Sequence, residues 1–235
     1  MPHDAVRPLL VFDLDGTLVD SALDLMGTLN ALLVREGLLP VPVEAVGRMV
    51  GLGARVLIER GLRANGVEPE PARVDRLFAD FLVHYGDNIA VSTRPYPGVE
   101  AALDRFAAAG WRFAICTNKP EALSFKLLDA LGLTSRFDAV CGGDTFPVRK
   151  PDAAHLTGTI ARVRGETAGT ARAIMVGDSH ADVAAARNAA VPVVGVSFGY
   201  TDKPMAELGP DVVIDHFDAL WDAVAGLEKR EIGRA

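Results

Sequence analysis

Asp13 and Asp15 are two carboxylates set immediately after an apolar run at residues 8–12. Side chains at i and i+2 of an extended chain point the same way, so both acids can face one site if strand geometry continues past residue 12. Gly16 follows and permits a tight turn with its backbone N–H turned outward. Paired carboxylates can act as nucleophile, as general acid–base or as ligands for a hard cation. On its own the run Asp13-Leu14-Asp15-Gly16 reads equally well as an ordinary turn after a strand. Further along stand other groups that could join it: Thr117 after an apolar run, Lys150 followed by Pro151 and Asp152, and the acids Asp178 and Asp182.

These residues need elements to position them. Short apolar runs at residues 8–12, 112–116, 138–141, 173–176, 193–196 and 211–214 are mostly apolar at consecutive positions. That pattern suits strands covered on both faces, as in a parallel sheet. Helical patterns lie between them. Val99, Leu103 and Phe106 make one stripe, stopped by Gly110, and Leu123, Leu127, Leu128 and Leu131 make another, stopped by Gly132. Strand–helix alternation implies a doubly wound α/β fold with a mainly parallel, Rossmann-like sheet. Ligands of such sheets bind at the carboxyl ends of the strands, where Asp13, Thr117 and Asp178 all fall.

Residues 20–94 interrupt the alternation. Leu25, Leu29, Leu32 and Leu33 form one helical stripe, and Val74, Leu77, Phe78, Phe81, Leu82 and Tyr85 a stronger one. Gly51, Leu52 and Gly53 break a weaker pattern between them, and no strand is expected in this stretch. The expected organisation is an α/β core from residues 1–19 and 95–235, with a small helical domain inserted at 20–94. The turn Tyr96-Pro97-Gly98 returns the chain to the core.

Composition narrows the function. The 235 residues are 49% hydrophobic and 23% charged, which supports a sizeable core and argues against disorder. The net charge of −7 argues against a general nucleic-acid binder. An acidic protein that binds phosphate must build a local positive site from a metal ion and well-placed lysines. Cys116 and Cys141 are too few for a disulfide scaffold and lack metal-ligand spacing, so they read as small buried hydrophobes. The N-terminus shows no signal-peptide pattern, and no apolar run reaches the roughly 18 residues of a membrane span. A soluble, cytoplasmic protein without membrane partners is expected.

Taken in order, the motifs resemble those of the haloacid-dehalogenase-like phosphatase superfamily. Asp13-Leu14-Asp15-Gly16-Thr17-Leu18 matches its first motif, and Ile115-Cys116-Thr117-Asn118 its second. Lys150 matches the third, and Gly177-Asp178-Ser179-His180-Ala181-Asp182 the fourth. The resemblance implies that Asp13 attacks phosphorus to form an aspartyl-phosphate and that Asp15 is the general acid–base. It implies Mg2+ held by Asp13, Asp178 and the backbone carbonyl of Asp15. Thr117, Lys150 and the N–H groups of a helix beginning at Asn118 would bind the phosphate. Asp182, on the face of a helix that begins near Asp178, could be a further ligand or a support behind the ligands, with the second reading favoured, and Ser179 is expected to support them from behind. Asp152 and Asp20 are expected to cap helices or orient neighbours, and His180 is given no catalytic part.

Within the superfamily the inserted helices resemble a small cap that closes over the site. Thr117-Asn118-Lys119-Pro120, Gly142-Gly143-Asp144-Thr145-Phe146 and Ser197-Phe198-Gly199-Tyr200-Thr201 resemble the phosphoglycolate phosphatase family. The implied partner is a small phosphorylated metabolite, 2-phosphoglycolate, with Arg55 as a candidate donor to its carboxylate, against a plain surface ion pair. Competing readings are a phosphatase for other small esters, a pyrophosphatase or a phosphosugar mutase. A phospho-accepting receiver module and a phosphate-binding pseudoenzyme are rivals from other classes. A dehalogenase would have no use for Asp15.

Overall fold

The computed structural model describes residues 7–45, 49–50, 53–165, 169–201 and 203–232. In chain order its strands are β1 (Leu9–Phe12), β2 (Val19–Asp20), β3 (Arg94–Pro95), β4 (Arg112–Cys116), β5 (Ala139–Cys141), β6 (Ala173–Gly177), β7 (Val193–Val196) and β8 (Val212–Ile214). The helices are α1 (Ala22–Arg35), α2 (Ala54–Ala64), α3 (Pro71–Asp87), α4 (Val99–Ala108), α5 (Glu121–Ala130), α6 (Ala153–Arg164), α7 (His180–Asn188), α8 (Met205–Leu208) and α9 (Leu220–Ile232).

Six strands form one sheet in the order β5-β4-β1-β6-β7-β8, and every neighbouring pair is parallel. The Rossmann-like α/β expectation therefore holds. Alternate residues of β1 serve opposite faces: Leu10 and Phe12 join one apolar cluster, Leu9 and Val11 the other. The second cluster is closed by Leu156, Ile160 and Val163 of α6 and Val183 and Ala186 of α7. Because both faces are covered, β1 shows no polar alternation and reads as a continuous apolar run. After β1 the chain builds outward through β4 and β5, then returns to place β6 on the other side of β1. The switch point lies between β1 and β6, where a crevice opens at the strands' carboxyl ends.

Helices α1, α2 and α3 pack on one another within the inserted stretch. Their buried faces follow helical spacing, with Met26, Leu29 and Leu33 on α1 and Val74, Leu77, Phe81 and Tyr85 on α3. Gly51 and Leu52 lie outside the described residues, and Gly53 directly precedes α2. One expectation needs correction. A small antiparallel ribbon, β2 with β3, stands where the chain leaves and re-enters the core, pairing Val19 with Pro95 and Asp20 with Arg94. Two-residue strands are too short to show any period, so pattern reading passes over them.

The base of the insertion is pinned by Asp24, in the first turn of α1. Its carboxylate accepts from the N–H of Ser92 (2.9 Å), the N–H of Thr93 (2.8 Å) and the hydroxyl of Thr93 (2.7 Å). Asp24 and Thr93 are both buried, so loss of the carboxylate leaves three donors without a partner. Asp24→Ala is expected to lower unfolding stability by about 2–4 kcal/mol. Urea denaturation checks this, and a change below about 0.5 kcal/mol would show that the clamp is dispensable.

Candidate active site

The site grows from the ends of β1 and β6. Asp13 N–H donates to Val176 O at 2.9 Å, which carries strand pairing one residue past β1. Leu14 is fully buried while Asp13 and Asp15 stay partly open, so the strand's alternation persists through Asp15. The chain then turns tightly, with Gly16 N–H donating to Val19 O and Val19 N–H to Leu14 O. Gly16 has φ +82, and a Cβ there would collide with the Asp178 carboxylate and the Tyr200 ring. The turn delivers the Thr17 hydroxyl to Asp178 Oδ1 at 2.9 Å, and Tyr200 N–H donates to the other oxygen at 2.7 Å. The Tyr200 hydroxyl donates to Asp20 (2.6 Å) and accepts from the N–H groups of Ser21 and Ala22, which fixes the start of α1.

Lys150 lies at the centre of a buried charge cluster. Its ammonium is 2.6 Å from Asp182 Oδ1 and 3.1 Å from Asp13 Oδ1. The other Asp182 oxygen accepts from Ser179 N–H (2.9 Å) and Ser179 Oγ (2.6 Å), a reciprocal capping box at the start of α7. Asp13, Asp178 and Asp182 each offer an oxygen within 4.8 Å of the others. Burial pushes Asp13 up to about 6, with Lys150 pulling it down and Asp182 pushing it up. Burial, then the charges of Asp182 and Asp13, hold Asp178 well above the usual carboxylate range. Burial opposes the charge on Lys150, but Asp13 and Asp182 outweigh it, so its pKa is raised and the ammonium persists. Asp178, Asp182 and Lys150 are all buried, whereas the Asp13 side chain keeps 14% exposure, through which a substrate can reach it.

The neighbours of Lys150 hold its backbone. Lys150 N–H donates to Nδ1 of buried His155 at 3.1 Å, and His155 Nε2 is 3.0 Å from Gly142 O. The ring therefore donates from Nε2. Burial and the Lys150 charge lower the His155 pKa to about 4, so it is neutral. Asn118 Nδ2 donates to Lys150 O at 3.0 Å. Asn118 does not open a helix, contrary to expectation, because α5 begins at Glu121 after Pro120. A proline disfavours helical geometry in the residue before it, so Asn118 and Lys119 form a bend and the helix starts downstream. Thr117 is buried at the end of β4, with its N–H on Cys141 O at 3.0 Å.

Asp15 is held by partners that pattern reading misses. Lys119 places its ammonium 3.0 and 2.9 Å from the two Asp15 oxygens and 2.8 Å from the hydroxyl of Tyr85. It also sits 4.3 Å from the centroid of the Tyr85 ring. Ser21 Oγ donates to Asp15 Oδ1 at 2.6 Å. The available signal was a lysine two positions beyond a strand-end threonine. Arg55, by contrast, pairs with Asp75 at 2.5 Å and lies over Phe78, with 47% of its side chain exposed. Asp152 caps α6 through Ala154 N–H. His180 is exposed at the start of α7.

The donor set fits a divalent cation. Its atoms are carboxylate oxygens, the ligands hard cations prefer, and they are crowded enough to repel one another without one. Asp182 already engages Lys150 and Ser179, which leaves Asp13 and Asp178 as the better placed acids.

Known proteins show the same arrangement of sequence and fold. The model of the haloacid dehalogenase-like hydrolase family matches residues 10–196. A phosphoglycolate phosphatase of Agrobacterium fabrum is 51% identical over 224 residues, 95% of this chain and 95% of that protein. One from Caulobacter vibrioides is 46% identical over 215 residues, 92% of this chain and 90% of that protein. The crystal structure of a predicted phosphoglycolate phosphatase from Haemophilus somnus superposes with a TM-score of 0.84 at 31% identity, covering 92% of this chain and 97% of that one.

The raised carboxylates set a pH dependence. The protonated form of Asp13 is favoured in the folded state, so its contribution to stability is complete below the ordinary value of 3.8 and is lost as pH rises through about 6, and the raised Asp178 acts in the same direction. A divalent cation binds the ionised forms and opposes that loss. The rise in Tm on adding the cation is therefore expected to be larger at pH 7 than at pH 5, and mostly absent in Asp178→Asn. Thermal unfolding at both pH values checks this, and an equal rise at both would contradict it.

Proposed function

The chain belongs to the haloacid dehalogenase-like hydrolase family, and from that premise we propose that it is a Mg2+-dependent phosphatase that converts 2-phosphoglycolate to glycolate and phosphate. The observation that carries the reading is the buried cluster of Asp13, Asp178 and Asp182 around Lys150, with Asp15 held separately beside it. The substrate follows from relatives of that name aligned over nearly the whole chain.

In this reading a carboxylate oxygen of Asp13 attacks phosphorus in line, and the bond to the ester oxygen breaks. Lys150 keeps Asp13 ionised and oriented and, with Thr117, balances charge on the phosphoryl oxygens. Asp15 gives its proton to the departing alkoxide. It then takes a proton from the water that attacks the phosphorus of the aspartyl-phosphate, which frees Asp13 and inorganic phosphate. Ser21 and Lys119 hold the Asp15 carboxylate in place for both transfers. Asp13, Asp178 and the backbone carbonyl of Asp15 would hold Mg2+, which would supply the positive charge that lets an anionic ester approach anionic side chains. Asp182 and Ser179 brace Lys150 and the start of α7.

Residues 1–19 and 95–235 act as the catalytic core and 20–94 as the cap that shields the intermediate from bulk water. Tyr85 of α3 reaching Lys119 supports that division, since it brings the insertion to the site. Among the described residues no helix is long and apolar enough to cross a membrane, and we take the enzyme to act in the cytoplasm on a small phosphorylated metabolite.

Asp13→Asn is expected to lower kcat by about three orders of magnitude or more, and Asp15→Asn by about 10²–10⁴-fold. Steady-state kinetics on an aryl phosphate and on a panel of phosphate monoesters checks both. Wild-type turnover in Asp13→Asn would remove the nucleophile assignment, and a higher kcat/KM for a different ester would replace the substrate.

A further inference from the structure

Lys119 and Lys150 are both buried at the strand ends, and they face different acids. Lys150 belongs to the phosphate end through Asp13 and Asp182. Lys119 belongs to the leaving-group end, because its ion-pair partner is Asp15, the residue that protonates the ester oxygen. The steps above use Lys119 only to hold Asp15, although Ser21 also holds that carboxylate. Its ammonium offers three N–H donors, and one of them can serve both oxygens of a single carboxylate.

We propose that Lys119, steered by Tyr85, is the residue that selects for a carboxylate on the leaving group. The inference rests on the 2-phosphoglycolate reading and deepens it. In such a substrate the ester oxygen and the carboxylate are separated by a single methylene. A group that touches the acid on the ester oxygen is therefore also within reach of the carboxylate. Lys119 meets that condition, with its ammonium 2.9 Å from Asp15. Arg55 is a poorer candidate, since it is half exposed, where solvent screens its charge.

Burial gives the interaction its weight. The Lys119 side chain is only 4% exposed, so solvent does little to screen its charge. Burial pushes the Tyr85 phenol up to about 12, so the hydroxyl is neutral and directs the ammonium without cancelling it. A carboxylate arriving there gains a charge-assisted hydrogen bond. A neutral leaving group of the same size displaces water from the ammonium and returns no charge. Tyr85 lies on α3, so the insertion contributes to selection through the aim of a core lysine.

The test compares kcat/KM for 2-phosphoglycolate with that for 2-hydroxyethyl phosphate, in which a neutral hydroxymethyl group replaces the carboxylate. The readout is the ratio of the two. In Lys119→Met both values fall, but the ratio is expected to fall by about 30-fold or more, mainly through KM for the carboxylated ester. Lys119→Arg, which keeps the charge, is expected to retain more of the ratio. Tyr85→Phe, which keeps the ring and the packing, is expected to lower the ratio by about 3–10-fold. An unchanged ratio in either Lys119→Met or Tyr85→Phe overturns the proposal, because a lysine that only positions Asp15 slows both esters alike. The wild-type ratio separates the two readings. A ratio near one rejects the carboxylated substrate itself, whereas a high ratio that the variants leave intact rejects only the part given to Lys119.

Discussion

Three carboxylates crowd the end of the central strands, and a single buried ammonium holds two of them together. Without Lys150, Asp13 and Asp182 would repel each other in a region where water does little to screen them. Much of the surrounding structure serves this cluster. A Cβ at Gly16 or Gly199 would overlap the Asp178 side chain, and one at Gly177 would overlap Asp182. Neutral His155 and Asn118 fix the Lys150 backbone from two sides. Thr17 and Tyr200 clasp Asp178, and Tyr200 also sets where α1 begins. The parallel sheet brings these pieces together by ending β1 and β6 side by side at its switch point.

The cluster also explains how two aspartates so close in sequence can do different work. Asp13 lies in the field of Lys150, Asp182 and Asp178, whereas Asp15 is turned toward Lys119 and Ser21. The two environments differ in their paired cation, Lys150 for Asp13 and Lys119 for Asp15. In the proposed chemistry, one environment keeps a nucleophile ionised and the other moves a proton. The second environment is built partly from the insertion, through Tyr85, so the proton-transfer side of the site is the side that the helices of residues 20–94 can influence.

The core was legible from sequence because both-face burial leaves an unmistakable mark. Leu9–Phe12, Arg112–Cys116 and Val193–Val196 are runs with hardly a polar residue, each followed by a loop. The acids and Lys150 were legible because their residue types and order carry the chemistry. Contacts that form only on folding were not. Tyr85 reads as one more apolar position on the α3 stripe, and nothing local shows that its hydroxyl meets a lysine 34 residues away. The placement of Asn118 was recoverable, since Pro120 disfavours helical geometry at Lys119 and so a helix starting at Asn118. The β2–β3 ribbon was not, because two residues carry no period.

The proposed chemistry depends most directly on a covalent bond between Asp13 and phosphorus. Rapid acid quench of the enzyme turning over a radiolabelled phosphate ester, followed by peptide mapping, tests it. The expected result is label on the peptide that contains Asp13, released by hydroxylamine as an acyl phosphate would be, and absent from Asp13→Asn. Label on a different residue, or turnover with no protein-bound label while Asp13→Asn stays active, would contradict it.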